Sequence, residues 1–245
     1  LIDIMKAAGC STDDENVLWG IAMDTAYPLV DFSGDLIQFY GSNPSGHALT
    51  VIINSLANSL YMRYAYTVLN PAKVCWDFKS SVNLLTYGDD NAMGVSEKCE
   101  WFNHTSIQAT LASLGIGYTM ADKKADSVPF IHIDDVSFLK RTWRYDSDVR
   151  AWLCPLEHDS IEKMLTVCVA SKTVTSQEQA VSILSTAARE YFNYGKPIFD
   201  AKRKMIMEVI EENDLWLYAK PNSIPIWESL VEDFWNKYVP PSDDE

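Results

Sequence analysis

One stretch constrains this chain more than any other: Leu84-Leu85-Thr86-Tyr87-Gly88-Asp89-Asp90-Asn91. An apolar run enters a Gly-Asp-Asp turn, and Met93 to Val95 carries the chain away. The pattern predicts a β-hairpin with two adjacent acids at its tip. Gly88 lets the backbone turn where a Cβ would clash, and Asp and Asn tolerate unusual dihedrals. Two carboxylates held this close repel each other unless a cation lies between them. Hard divalent cations such as Mg²⁺ take such oxygens and share them with substrate phosphates. Taken alone, Gly-Asp-Asp is weak evidence and reads more readily as a solvated acidic turn, so its neighbours must decide.

Upstream, Gly41-Ser42-Asn43-Pro44-Ser45-Gly46 is a turn-forming loop that Ser45 is placed to close as a helix cap. A helix is expected over about 47–66, with Leu49, Ile52, Ile53, Leu56 and Leu60 as its apolar stripe. Thr50, Asn54 and Asn58 fall four apart and make a second, uncharged polar stripe. That stripe fits a solvent-facing side or the wall of a substrate cavity. Residues 1–25 read as helical pieces stopped at Gly9 and restarted by Ser11, Thr12 or Asp13, and 27–40 as a hairpin around Ser33-Gly34. After the acidic turn, Ser96 is expected to cap a helix bearing Ile107, Leu111 and Leu114, stopped by Gly115. Residues 130–154 read as strands, from the alternation of Val136, Phe138 and Lys140 with their neighbours and from Tyr145 to Leu153. From Pro155 the pattern is helical. A Ser176–Gln179 capping box opens one helix, which Gly195 ends. Asp200 opens another with Met205, Val209 and Ile210 buried, and Pro225 sits in the first turn of the last. The expected fold class is therefore α+β, mixed to residue 154 and all-α over 155–240, with an acidic tail at 241–245.

A net charge of −14 weighs against a nucleic-acid partner, because phosphate binding is driven by Lys and Arg. The basic residues are unevenly spread, however: Lys123, Lys124, Lys140, Arg141, Arg144 and Arg150 crowd one region. Cysteines 10, 75, 99, 154 and 168 form no CxxC pair and the histidines are dispersed. This argues against structural zinc or a disulfide framework and fits a reducing compartment. No apolar run of about 20 residues predicts a membrane span. The chain opens with Leu1 in what reads as a helix under way, so a piece of a longer polyprotein is expected.

Four elements then agree in order and spacing. Gly41 to Thr50, followed by Asn54-Ser55 and Asn58, resembles motif B of the RNA-dependent RNA polymerases of picorna-like positive-strand RNA viruses, with aquatic members as the nearest group. Tyr87-Gly88-Asp89-Asp90 resembles their motif C, Ala121-Asp122-Lys123 motif D, and Phe138-Leu139-Lys140-Arg141 motif E. The resemblance implies a right-hand polymerase fold, with a palm over 1–154 and a helical thumb over 155–240. It places fingers and motif A before motif B. Asp3, Asp13, Asp14 and Asp24 do not match motif A, so fingers and motif A are expected to be missing from this chain.

The resemblance also implies a chemistry: template-directed nucleotidyl transfer with two Mg²⁺ (or Mn²⁺) ions, on an RNA template and primer with nucleoside triphosphates. Asp89 is the first metal ligand and Asp90 the second, since adjacent residues on a strand point to opposite faces. Thr50 and Asn54 help to position the acidic group that reads the ribose 2′-OH, and Ser45 and Gly46 form a flexible loop at the nascent base pair. Lys123 is the general acid for pyrophosphate, or else a surface lysine beside Lys124. Tyr87, Gly88, Phe138, Leu139, Lys140 and Arg141 lie against RNA, the last two on the primer backbone. Other viral replication proteins are the expected partners, at replication complexes in the host cytoplasm. Two alternatives stay open: a reverse transcriptase, against which the Asn-Pro-Ser-Gly loop with Thr50 and Asn54 argues, and a non-catalytic palm–thumb module that binds RNA or a replication partner.

Overall fold

The structure is a computed structural model that describes residues 2–41, 43–220 and 222–238. Leu1, Ser42 of the motif B loop and the acidic tail at 241–245 lie outside the described residues. The chain is α+β, with small two-stranded antiparallel sheets. It forms two compact units, Leu1–Phe130 and Ile131–Glu245.

The first unit opens with helices α1 (Ile2–Ala7) and α2 (Thr12–Ala26), separated at Gly9, whose φ is +90°. Ser11 caps α2 in a capping box with Asp14, satisfying N–H groups that have no partner inside the helix. Strands β1 (Leu29–Phe32) and β2 (Asp35–Gln38) pair around Ser33-Gly34. Both turn residues have positive φ, and Asp31 accepts a hydrogen bond from the Gly34 N–H. Helix α3 (Thr50–Leu69) follows, then a single turn α4 (Phe78–Ser81) and the hairpin β3 (Val82–Tyr87) and β4 (Asp90–Val95). Helix α5 (His104–Ala112) completes the unit. Its cap is Asn103, boxed with Ser106, whereas Ser96 caps only a 3-10 turn at Glu97–Cys99.

The core of this unit lies between α3, the β3–β4 hairpin and α5. Tyr66 of α3 is its centre, with the rings of Phe78 and Phe102 each 5.2 Å away edge-on and Trp101 at 4.9 Å. Met62, Ala65, Val82, Ile107 and Leu111 fill in around it. The expected apolar stripe of α3 is not the packed one: Ile52 is 48% and Leu60 66% exposed, while Asn58 is 6% exposed. Asn58 heads the buried side because its neighbours on that side, Met62, Ala65 and Tyr66, are the residues the hairpin and α5 cover.

The second unit holds strands β5 (Arg144–Asp146) and β6 (Ala151–Leu153) and helices α6 (His158–Thr166), α7 (Ser176–Phe192), α8 (Lys196–Glu212) and α9 (Trp227–Tyr238). Val149 and Leu153 of the hairpin share one core with Ile161, Ala187, Phe199, Ile210 and Trp227 of the helices. This packing is why the compact division falls before residue 131, ahead of the compositional change at 155. The helix starts also shift. Thr175 caps α7 in a box with Glu178, one residue ahead of the Ser176–Gln179 frame. A carboxylate is the stronger acceptor of the two side chains. Helix α8 opens after Gly195, not at Asp200, with Pro197 in its first turn, where a missing N–H costs nothing. Ile206 and Ile210 are buried there, whereas Met205 and Val209 are exposed. Pro225 precedes α9.

The 130–141 segment is not a strand. Phe138 and Arg141 exchange both backbone hydrogen bonds at 3.0 Å across a two-residue turn. Leu139 and Lys140 occupy that turn with φ of +53° and +61°. Such a turn normally takes Asn or Gly, so local preference has been overridden by the surroundings.

Candidate active site

Tyr87 pairs with Asp90 in the β3–β4 ladder, which leaves Gly88 and Asp89 as a two-residue turn. Gly88 has a φ of +62° while Asp89 is not in the left-handed region, the pattern of a type II′ hairpin with glycine first. Gly88 itself is buried, yet Asp89 and Asp90 are both exposed, so the two carboxylates stand at the open tip of a firmly held turn.

Helix α3 does the holding. The Gly88 N–H donates to Ser55 Oγ at 2.8 Å. Asn58 Nδ2 lies 3.3, 2.8 and 3.2 Å from the carbonyl oxygens of Gly88, Asp89 and Asp90. Ser55 and Asn58 are three apart and therefore share a helix face. Asn58 Oδ1 accepts from Asn91 Nδ2 at 2.9 Å, and Asn91 Oδ1 accepts from the Tyr118 hydroxyl at 2.8 Å. Burial pushes the Tyr118 phenol up, against a smaller opposing effect of its bond to Asn91, so it stays a proton donor at neutral pH.

The same helix holds the loop that precedes it. Thr50 Oγ1 donates to the Pro44 carbonyl at 2.6 Å, and Asn54 Oδ1 accepts from Asn43 Nδ2 at 2.8 Å. Ser45 and Gly46 form an exposed turn, Gly46 with φ +84°. Ser45 does not cap α3: the N-cap position is Leu49, without a side-chain cap. Thr50, Asn54, Ser55 and Asn58 thus tie both the 43–46 loop and the acidic turn to one helix. Tyr87 is exposed beside the turn.

Lys123 lies in an exposed turn between Ala121 and Ala125, where the Lys124 N–H donates to Asp122 Oδ1. In the second unit, Lys140 makes an ion pair with Glu157 at 2.7 Å, both side chains being largely exposed. Arg141 is differently engaged. Its two terminal nitrogens each meet a Glu190 oxygen at 2.8 Å, and Nη1 also donates to the Cys154 carbonyl at 2.9 Å. The hydrogen bond with Glu190 raises the Arg141 pKa further. Arg141 therefore fastens its turn to α7, and Lys140, at the tip, has the more available charge.

Two adjacent carboxylates offer hard oxygen donors but fill only part of an octahedral shell. Among the described residues no group of three or more His, Cys, Asp or Glu forms a cage. That donor set fits a hard divalent cation that completes its shell with oxygen ligands from outside these two side chains. No helix among the described residues is long and apolar enough to cross a membrane. Sequence reasoning gave roles to Asp89, Asp90, Thr50 and Asn54, placed Ser55 and Asn58 in the motif B resemblance without a role of their own, and gave none to Asn91 and Tyr118. The signal for Asn58 was the amide run at four-residue spacing; nothing local marked Tyr118.

A family model described as viral RNA-dependent RNA polymerase matches residues 4–200. The chain belongs to that family. It is 32% identical over 183 residues to the replicase polyprotein of Drosophila C virus (strain EB), covering 72% of this chain and 10% of that one. It is 31% identical over 208 residues to the RNA1 polyprotein of Satsuma dwarf virus (isolate Satsuma mandarin/Japan/S-58/1977), covering 80% of this chain and 10% of the relative. The chain thus spans about a tenth of these curated relatives. Among solved structures, the Sicinivirus 3Dpol RNA dependent RNA polymerase shares the fold with a TM-score of 0.66 at 16% identity, over 91% of this chain and 43% of that one. In this polymerase-family chain, the acidic turn described above falls within the matched residues.

Proposed function

We propose that this chain is part of a polymerase that carries out template-directed RNA synthesis in viral genome replication, with palm residues over 1–154 and a thumb over 155–240. The observation that carries the reading is the pair of exposed carboxylates on a turn fastened to α3, the helix that also fastens the 43–46 loop. The reaction is attack of a primer 3′-hydroxyl on the α-phosphate of a nucleoside triphosphate, with pyrophosphate leaving.

Asp89 and Asp90 would hold divalent ions, Mg²⁺ or Mn²⁺, which when bound lower the pKa of the attacking hydroxyl and balance charge on the leaving oxygen. The remaining work falls to this chain's side chains. Ser55 and Asn58 fix the turn, so the carboxylates keep their placement as charge builds up nearby, which is the basis of electrostatic preorganisation. Asn43, Thr50 and Asn54 set the loop that faces the ribose, where a 2′-hydroxyl distinguishes RNA from DNA precursors. Lys123, exposed on its turn, donates a proton to pyrophosphate as it leaves. Lys140 meets the primer backbone from the tip of its turn. Other viral replication proteins are the partners, at replication complexes in the host cytoplasm.

The test is nucleotide incorporation on an RNA primer–template by the polymerase that includes these residues. Incorporation that follows the template and prefers ribonucleotides supports the reading. Preference for deoxyribonucleotides would favour a reverse transcriptase, and RNA binding without incorporation a non-catalytic module.

A further inference from the structure

The polar chain behind the acidic turn has a fixed direction. The three turn carbonyls can only accept hydrogen bonds, so Asn58 must present its NH₂ to them. That leaves Asn58 Oδ1 as an acceptor, and Asn91 must present its own NH₂ there. Asn91 Oδ1 then needs a donor, which the Tyr118 hydroxyl supplies. Each amide is used at both ends, and neither can flip without setting acceptor against acceptor. Asn58 is one of three polar residues buried below a tenth exposure among the described residues, and it contacts the backbone of both carboxylate-bearing residues.

Tyr118 also begins the loop that carries Lys123, and α5 holds that loop at both ends. At the near end, Gln108 Nε2 donates to the Tyr118 carbonyl at 2.7 Å, and the Tyr118 ring stacks on His104 at 4.7 Å. At the far end, Ser127 Oγ meets His104 Nδ1 at 2.7 Å and Thr105 Oγ1 at 3.0 Å, and the His104 N–H donates to the Pro129 carbonyl at 3.1 Å. Among the described residues, the side-chain bond that joins these anchors to the acidic hairpin is that of Tyr118 to Asn91.

We propose that Asn58 is the positioning residue of the Asp89–Asp90 turn, and that Asn91 and Tyr118 extend its hold to the loop carrying Lys123. The proposal rests on the polymerase reading of the site and deepens it: the groups assigned to metal binding and to proton donation are set by one hydrogen-bonded chain. Asn58, Asn91 and Tyr118 touch no reacting atom in this scheme; they act through the groups they hold.

Two variants test it. Asn58→Leu keeps side-chain volume and removes both ends of the amide. Tyr118→Phe keeps the ring on His104 and removes only the hydroxyl, so it serves if Asn58→Leu does not fold. In this chain, hydrogen exchange of the Gly88 amide and the Asn91 side-chain amide is compared with that of the Ile107 and Leu111 amides. Exchange at the turn is expected to rise in Asn58→Leu by about tenfold or more beyond any change at Ile107 and Leu111, which report the stability of the shared core. Tyr118→Phe is expected to raise it first at Asn91. In the polymerase that includes these residues, kcat should fall about tenfold while the KM for nucleotide stays within about twofold, since the loss lies in the transition state. Unchanged turn exchange in the folded variants, or unchanged kcat, overturns the proposal. Parallel measurement of Asp89→Asn separates the two levels. If that variant is dead while Asn58→Leu and Tyr118→Phe are fully active, only the positioning proposal falls. If Asp89→Asn is fully active, the polymerase reading of the site falls with it.

Discussion

Two glycines in the acidic hairpin offer a controlled comparison. Gly88 and Gly94 both have open space where a Cβ would stand, with no atom within 4 Å. They differ in backbone: Gly88 has φ +62°, and Gly94, paired with Asn83 in the ladder, lies outside the left-handed region. An alanine at 88 meets no clash with the rest of the chain, so its cost is the local penalty of a Cβ at positive φ, about 1–2 kcal/mol. An alanine at 94 fits the native dihedrals and restricts the unfolded chain, a gain of about 0.4–1 kcal/mol. The two substitutions should therefore differ by about 2 kcal/mol, roughly 30-fold in the folded-to-unfolded ratio. With two compact units, a single global unfolding curve would blend their stabilities. The assay is accordingly hydrogen exchange at Ile107 and Leu111, buried in the core shared with this hairpin. Gly88→Ala should also lose more nucleotide incorporation than its stability change explains, because it moves the Asp89 backbone. Equal stability shifts for the two alanines would refute the turn geometry assigned here.

Three further outcomes are expected. Lys140→Ala should weaken RNA binding and flatten its salt dependence, since a lost phosphate contact releases fewer counterions; Arg141→Ala should instead destabilise the second unit by about 1–3 kcal/mol in denaturant titrations, a value discounted for partial exposure of the pair. Asn54→Ala should reduce discrimination between ribo- and deoxyribonucleotides in competition kinetics, and equal changes for both sugars would assign it to folding alone. Burial works to raise the Asp146 pKa, but the Val149 N–H, the Arg144 guanidinium and the Asp148 N–H outweigh it and hold the carboxyl below its ordinary value; its contribution to stability is thus present above about pH 4 and lost as pH falls through the lowered value, so Asp146→Asn should flatten the acid limb of the stability–pH profile of the second unit.

The turns were the most legible features. Ser33-Gly34 and Gly88-Asp89 each set a glycine at positive φ, and a glycine between two apolar runs is a signal the sequence displays. The restart of the helix after Gly9 was visible too, with Ser11, Thr12 and Asp13 as candidate caps, of which Ser11 takes the role with Asp14. The packed face of α3 was not legible. Ile52 and Leu60 outrank Asn58 in hydrophobicity, but an amide can be buried at little cost when three carbonyls and a second amide satisfy it. Those partners are 30 to 33 residues away, so no local pattern reveals them. Residues 136–141 alternate like a strand yet form a tight turn with Leu139 and Lys140 at positive φ. Arg141, fastened to Glu190 and to the Cys154 carbonyl, overrides that local preference from 49 and 13 residues away. In the candidate site the two carboxylates and the motif B residues were readable from type and order, whereas the hydrogen bonds that link Ser55, Asn58, Asn91 and Tyr118 to the acidic turn emerged only from the fold.

The account rests most directly on the acidic pair. The decisive measurement is the single-turnover rate of ribonucleotide incorporation across Mg²⁺ concentration, for the polymerase that includes these residues and for its Asp89→Asn and Asp13→Asn variants. Asp89→Asn replaces a metal-binding oxygen with an amide NH₂ of the same shape, while Asp13 is an exposed acid in the first turn of α2. The expected result is saturable, template-dependent incorporation in the parent and in Asp13→Asn, and none above background in Asp89→Asn at any Mg²⁺ concentration. An Asp89→Asn variant that incorporates at the parent rate, with the parent's Mg²⁺ dependence, would contradict the assignment of catalysis to this turn.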